Sequence, residues 1–146
     1  MVEIPYDLAR FPSDAGSISL KITREVSHAH GAGHFELLVL VDTEFVKGSG
    51  TCYIDRRDLA EYSSFLEALD RGVSASWRQG KQGIGLLAEI VAGEALGYSY
   101  DEIRVVAVDE GTGVTAGVVA YREEPWLAEA KNALEIFVET RRSVHG

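Results

Sequence analysis

The sequence is short of cysteine, proline and positive charge. Its 146 residues hold one Cys, three Pro, and 14 Lys plus Arg against 23 Asp plus Glu, for a formal net charge of −9. A lone Cys52 has no internal disulfide partner, so no disulfide scaffold is built. The scarcity of basic residues argues against a nucleic-acid binder, because a polyanion demands a basic footprint. No basic lobe hides inside the average: residues 1–73 carry 7 basic and 12 acidic side chains, and residues 74–146 carry 7 and 11. Long hydrophobic runs are also missing. The two most apolar stretches, Phe35 to Val41 and Ile84 to Val91, fall well short of the roughly 20 residues that span a bilayer as a helix. Met1 to Asp7 has neither a basic n-region nor an apolar core, so no secretory signal is read and a cytoplasmic protein is expected.

What is present is an ordinary globular chain, 46% hydrophobic and 25% charged. These values exclude disorder, collagen and coiled coil for the whole chain. The length suits a single domain over residues 1–146, large enough to fold without a metal or disulfide staple.

Tyr6 to Phe11 reads as a short strand, and Pro12 to Gly16 as a turn. Ser17 to Val26 alternates, Ile18, Leu20 and Ile22 against Ser19, Lys21 and Thr23, which predicts a half-buried strand. Ser27 to Gly33 reads as a loop. Phe35 to Val41 is nearly continuous in apolar residues, so a central strand buried on both faces is expected. Gly48-Ser49-Gly50 looks like a turn or bulge before a strand at Thr51 to Ile54. Asp55 is an N-cap candidate, followed by Leu59, Tyr62, Leu66 and Leu69 at helical spacing, with Gly72 where a helix-ending glycine belongs.

Beyond this helix, Val73 to Trp77 and Ile84 to Val91 flank a polar turn, which suggests a hairpin. Ala92 to Tyr100 reads as a longer loop. Ile103 to Val108 and Val114 to Tyr121 flank Asp109 to Gly113 as a second hairpin. Pro125 to Arg141 then carries an apolar stripe of Leu127, Ala130, Leu134, Phe137 and Val138. The fold class expected is α+β: one antiparallel sheet with two amphipathic helices packed on one face.

Gly33-His34-Phe35-Glu36, Phe45, Gly48, Ile54-Asp55, Asp58-Leu59, Phe65, Ala68-Leu69, Gly72 and Trp77 form an ordered pattern over roughly residues 5 to 140. In this pattern the chain resembles a family of small actinobacterial proteins known as a domain of unknown function. The loop at Ala92 to Tyr100 is longer than the family pattern implies. In layout the chain also resembles, more distantly, the immunity proteins of bacterial toxin systems, which are small, acidic and built of sheet plus helix.

Several groups of residues invite a chemical reading. His28, His30 and His34 place three imidazoles within seven residues, and Glu25 or Glu36 could complete a metal site. A glycine-bearing loop offers no supporting shell, so the expectation is solvated histidines and no metal. Cys52 lies in an alternating strand and reads as a small hydrophobe rather than a nucleophile. Asp55, Asp58 and Glu61, with Asp109 and Glu110 on a hairpin tip, read as caps and solvated groups. Gly80, Gly83 and Gly85 lack the Lys-Ser/Thr of a phosphate loop, so they read as turn residues and no cofactor is expected. Trp77 and Trp126 read as core. Tyr98 and Tyr100 read as exposed, and they are the candidate partner-binding anchors.

No catalytic constellation assembles from these residues. The function expected is a small non-catalytic protein-interaction module, regulatory or immunity-like, with a basic protein as partner and neither nucleic acid nor membrane. One alternative is a small-molecule binder or accessory enzyme with an apolar cavity. A second is metal binding through the three histidines.

Overall fold

The computed structural model describes residues 3–28, 31–95, 97–122 and 124–145, without the side chains of 27, 28, 31, 32, 94, 95, 98–100 and 141–145. Four strands come first: β1 (Tyr6–Ser13), β2 (Gly16–His28), β3 (Gly31–Thr43) and β4 (Lys47–Ile54). They pair antiparallel in the order β1-β2-β3-β4. Helix α1 (Arg56–Asp70) follows. Strands β5 (Ala75–Trp77), β6 (Ile84–Ala95), β7 (Tyr98–Asp109) and β8 (Thr115–Tyr121) make a second antiparallel sheet, in the order β5-β6-β7-β8, and α2 (Trp126–His145) closes the sequence of elements. The layout is therefore a four-strand meander plus a helix, twice.

This corrects the expected single sheet. The alternation in each segment specified strands and short turns, hence meanders. It carried no information on which strands pair across a helix. β5 does not return to pair with β4 but starts a new sheet on β6. β8 packs against β1 and β2, and β4 against β6. The α+β class and the two helices stand.

Each sheet buries one face. Leu8, Phe11, Ile18, Leu20, Ile22, Leu37 and Val39 from the first sheet join Trp77, Leu86, Ile103, Val105, Val118 and Ala120 from the second, and both helices, in one apolar cluster. The first helix contributes Leu59, Tyr62, Phe65, Leu66 and Leu69, and the second Trp126, Leu127, Ala130, Leu134 and Phe137. Aromatic rings join the elements. Phe137 lies against Tyr6 and Phe35, with ring centroids 5.4 and 5.1 Å apart. Phe11 meets Trp126 edge-on at 5.3 Å, and Tyr62 meets Trp77 at 4.7 Å. Both tryptophans are core, as expected, and each indole N–H donates to a backbone carbonyl, Trp77 to Asp58 and Trp126 to Tyr121.

The ends of α1 follow from local chemistry. Asp55 caps the helix: the Asp58 amide donates to the Asp55 carboxylate at 2.9 Å, and the Asp55 amide donates back to the Asp58 carboxylate at 3.0 Å. Each carboxylate thereby satisfies an amide that the helix leaves orphaned. At the far end Gly72 takes φ +75, Val73 donates to the Ala68 carbonyl and Gly72 to that of Leu69. This is the paired bonding that ends a helix on a left-handed residue, where glycine avoids a Cβ clash.

Four local expectations need correction. β3 is central, but it is buried on its inner face only: Leu38 is half-buried and Leu40 is 40% exposed. Both line a shallow cavity of about 320 Å³ bounded by Trp126 and Ala130, which accounts for their apolar character. Gly48-Ser49-Gly50 lies within β4, and the turn is Thr43 to Val46, closed by reciprocal bonds between the Thr43 hydroxyl and the Val46 backbone. The loops at Ser27 to Gly33 and Ala92 to Tyr100 are mostly strand. In the latter, β6 and β7 pair without interruption from Ile84↔Asp109 to Ala95↔Tyr98, and Gly97 at φ +81 makes the turn. Small residues such as Ala92 and Gly93 weaken strand propensity, but cross-strand pairing decides the outcome.

Candidate functional site

Two places concentrate charge and shape. The first is a buried ionic cluster where α1 meets β4 and the β5–β6 turn. Asp58 and Arg78 are both buried, with side chains 8% and 5% exposed, and their charged groups are 3.3 Å apart. Arg78 has φ +61, a left-handed conformation costly for a side-chain-bearing residue. Its guanidinium donates to the carbonyls of Ile84, Tyr53 and Gln82 at 3.2, 3.2 and 2.8 Å. Lys81 donates to Asp58 at 2.7 Å and to Glu61 at 3.1 Å.

Burial pushes the Asp58 carboxyl up, but the Lys81 bond, the Asp55 amide and the Arg78 charge outweigh it and hold it below the usual carboxylate range. Such a group is ionised and multiply bonded, and it does not line the cavity beside Leu38 and Leu40. It staples the first half of the chain to the second and offers no general acid. The expectation of solvated carboxylates is thus corrected for Asp58, whose cap role holds but whose burial came from distant partners. Asp109 behaves as a turn former, accepting from the Gly111 amide and the Thr112 hydroxyl, while Glu110 accepts from the Gly80 amide.

The second place is a groove of about 680 Å³ between α1 and α2. Its floor is Phe35, Leu59, Leu66, Leu134, Phe137 and Val138. Its rim carries Glu25, Glu67, Glu135 and Glu139 against Arg56 and Lys131. Lys131 spans the helices at one end, 3.0 Å from both Glu67 and Asp70. These carboxylates, Asp70 first, raise its affinity for the proton, so it stays charged. Arg56 lies over Gly33, its side chain 3.2 Å from where a Cβ on that glycine would sit.

Glu25 reaches the groove through a break in register. β2 pairs Ile22 with Leu37 but then Arg24 with Glu36 and Glu25 with Phe35, so one extra residue at Thr23 shifts the alternation. Without that bulge Arg24 would share the inner face with Ile22. With it, Glu25 takes the inward phase beside Phe35.

The other candidates separate. Glu36 faces away from the core, accepting from the Thr23 hydroxyl at 2.8 Å and from Arg24 at 3.2 Å, which holds its carboxyl below the usual range. His34 lies in β3 opposite Val26. The side chain of His28, and all of His30, lie outside the described residues. Among the described residues no three His, Cys, Asp or Glu cluster as metal ligands would. Cys52 is buried against Gly83, where a Cβ would come within 2.8 Å of its own, and burial pushes its thiol up. Gly80 and Gly83 serve the β5–β6 turn, at φ +77 and +98. Tyr98 and Tyr100 belong to β7 by their backbone, and their side chains lie outside the described residues.

The groove was missed in the sequence, though a signal for it exists. Arg56, Ala60, Ser63 and Glu67 repeat at four, three and four residues, and Lys131, Glu135 and Glu139 at four and four. Each set forms a second stripe flanking the core stripe of its helix.

Residues 6–142 match a family described as a family of unknown function, DUF5959. The chain belongs to the DUF5959 family. The match includes both meanders, α1 and all but the end of α2, so the groove is built from family-matched sequence. No curated protein and no solved structure matches this DUF5959 chain. Among its described residues, no helix is long and apolar enough to cross a membrane.

Proposed function

We propose that this DUF5959 protein is a cytoplasmic, non-catalytic interaction module, regulatory or immunity-like in kind, and that it receives its partner in the groove between α1 and α2. The groove itself carries the reading: a concavity of about 680 Å³ between two helices, floored by side chains of the core and edged with charge to orient what enters. Apolar surface left in a concavity is where binding energy is available, and the surrounding charges supply specificity. Asp58, the buried carboxylate with a perturbed proton affinity, is tied up in the ionic cluster and does not line this groove.

The test is affinity capture from native cell extract with two baits, the unaltered domain and Ala60→Trp. Ala60 is exposed and lines the groove, so a tryptophan there occupies the groove. A protein held by the first bait and lost from the second supports the reading, and a capture profile indifferent to Ala60→Trp overturns it. A third bait, Tyr98→Ala with Tyr100→Ala, asks whether those tyrosines anchor the same partner.

A second reading has one observation in its favour. A volume of about 680 Å³ also falls within the range of small-molecule sites. A metabolite that stabilises the unaltered domain against heat, and not Ala60→Trp, would select it.

A further inference from the structure

We propose that Lys131 is a strap: it holds α1 and α2 together over the floor of the groove, and its release lets them part. Control of access to the groove rests on reading it as a partner site, but the parting itself belongs to the chain and is tested without a partner. The first argument is burial. The floor side chains Phe35, Leu59, Leu66, Leu134 and Phe137 are between 0 and 6% exposed. Little of the floor is offered to a ligand while the helices stay as they are, so contact with it requires them to separate.

The second argument is how the helices are mounted. α1 follows the first sheet in sequence but packs on β5 of the second. Its start is fixed there by the Trp77 indole on the Asp58 carbonyl and by Arg78 beside the Asp58 carboxylate. Its end is fixed by Arg122, which donates to the Asp70 carbonyl at 2.6 Å and to the Asp101 carboxylate of β7 at 2.9 Å. α2 packs instead on β1 of the first sheet. There Tyr6 donates to the Ala133 carbonyl, and Phe11 and Phe35 hold Trp126 and Phe137. Each helix thus rides on the sheet of the other half of the chain, and the line between α1 and α2 is a seam between differently anchored parts.

The third argument is the tie across that seam. Lys131 on α2 stands 3.0 Å from both Glu67 and Asp70 on α1. Its side chain is 33% exposed, and the two carboxylate side chains are 50 and 53% exposed. Ion pairs in such contact with water form and break readily and weaken in salt. That suits a strap, which holds the closed arrangement without locking it. A buried pair such as Asp58 with Arg78 could not serve, because breaking it leaves a desolvated charge. Exposing Leu59, Leu66 and Leu134 to water opposes opening, so the open state is the minor one.

The experiment places spin labels at Ser64→Cys on α1 and Asn132→Cys on α2, both exposed and outside the lining of the groove. Cys52 is 5% exposed and takes no label in the folded chain. Pulsed electron spin resonance then reads the distance between the helices. The doubly labelled chain should give a main distance with a small, longer component. Lys131→Met should enlarge that component about two- to fivefold, and Lys131→Arg should not. Sodium chloride at about 1 M, where the screening length is roughly 3 Å, should enlarge it in the labelled chain and add nothing in Lys131→Met. Lys47→Met, which releases Asp42 in the first sheet, should leave the distribution as it was. Cys52 in the unlabelled chain should react with a thiol reagent no faster in Lys131→Met, which separates parting of the seam from unfolding.

An unchanged distribution in Lys131→Met, a salt effect that persists there, or faster reaction of Cys52 would each overturn the strap. Capture indifferent to Ala60→Trp, with the longer component enlarged as expected, would remove the partner reading and leave the strap standing. Capture lost in Ala60→Trp, with no enlargement in Lys131→Met, would leave a partner site that fills without opening and would overturn the inference.

Discussion

Replacing Arg78 tests how the two halves of the chain are joined. Its guanidinium serves the carbonyls of Tyr53, Gln82 and Ile84 and stands 3.3 Å from Asp58. Arg78→Ala removes all four interactions at a buried position. Breaking a buried ion pair from one side costs about 3–5 kcal/mol, because the remaining charge stays desolvated. Lys81 remains on Asp58 at 2.7 Å, which places the expected loss near the lower end, about 3 kcal/mol. The backbone adds a second, opposite effect. At φ +61 any residue with a Cβ carries a penalty of about 1–2 kcal/mol, which glycine escapes. Arg78→Gly should therefore be less damaging than Arg78→Ala by about 1 kcal/mol, the reverse of the usual order. Urea titration measures both. With a slope near 2 kcal/mol per molar, Arg78→Ala should lower the midpoint by about 1.5 M at unchanged slope. In an Asp58→Asn background its cost should shrink, since no charge is left unpaired. A loss below 1 kcal/mol, or a glycine variant less stable than the alanine one, would refute the reasoning.

Other expectations follow from single groups. Tyr62 is fully buried and its hydroxyl has no hydrogen-bond partner among the described residues, so Tyr62→Phe should hold or raise stability by up to about 2 kcal/mol in the same titration; a loss above about 0.5 kcal/mol would mean that the hydroxyl is bonded. Because the folded protein holds the Asp58 carboxyl below its unfolded value, the stability it contributes is present above the unfolded value near pH 4 and lost as pH falls through the folded one. Asp58→Asn should flatten the acid limb of a stability–pH curve, and an unchanged limb would exclude the group as its source. Leu66 is 1% exposed, so Leu66→Ala should cost about 2–5 kcal/mol, and a cost under half a kcal/mol would show that it is not core. A chelator should leave the melting temperature unchanged, since the Gly and Ala residues interleaved with His28, His30 and His34 supply few side chains to orient a ligand; a clear drop would revive the histidine metal reading.

Local chemistry made much of the fold legible. Asp55 and Gly72 bound α1 as a capping carboxylate and a left-handed glycine should, and the stripe from Leu59 to Leu69 faces the core. What the sequence withheld was long-range. Asp58 looks like any first-turn acid until Arg78 and Lys81 arrive from 20 and 23 residues away. Leu38 and Leu40 read as doubly buried because apolar content does not reveal which face is covered. The bulge at Thr23 left no mark in composition, and with it the inward turn of Glu25 was invisible. The division into two sheets was hidden for the same reason, since partner choice across α1 is a property of packing.

The contact between β1 and α2 has a consequence for biosynthesis. Tyr6 donates its hydroxyl to the carbonyl of Ala133 at 2.7 Å and stacks on Phe137, so a strand made early is completed by a helix made more than 120 residues later. While the ribosome is still adding β5 to β8, the inner face of the first sheet waits without Trp126 and Phe137, which pack on Phe11 and Phe35. Closing contacts so distant in sequence is slow, and waiting apolar surface invites association with other chains. A nascent chain stalled before α2 should therefore occupy chaperones longer than one stalled after it, and shortening α2 should harm yield in cells more than the lost contact area alone would suggest.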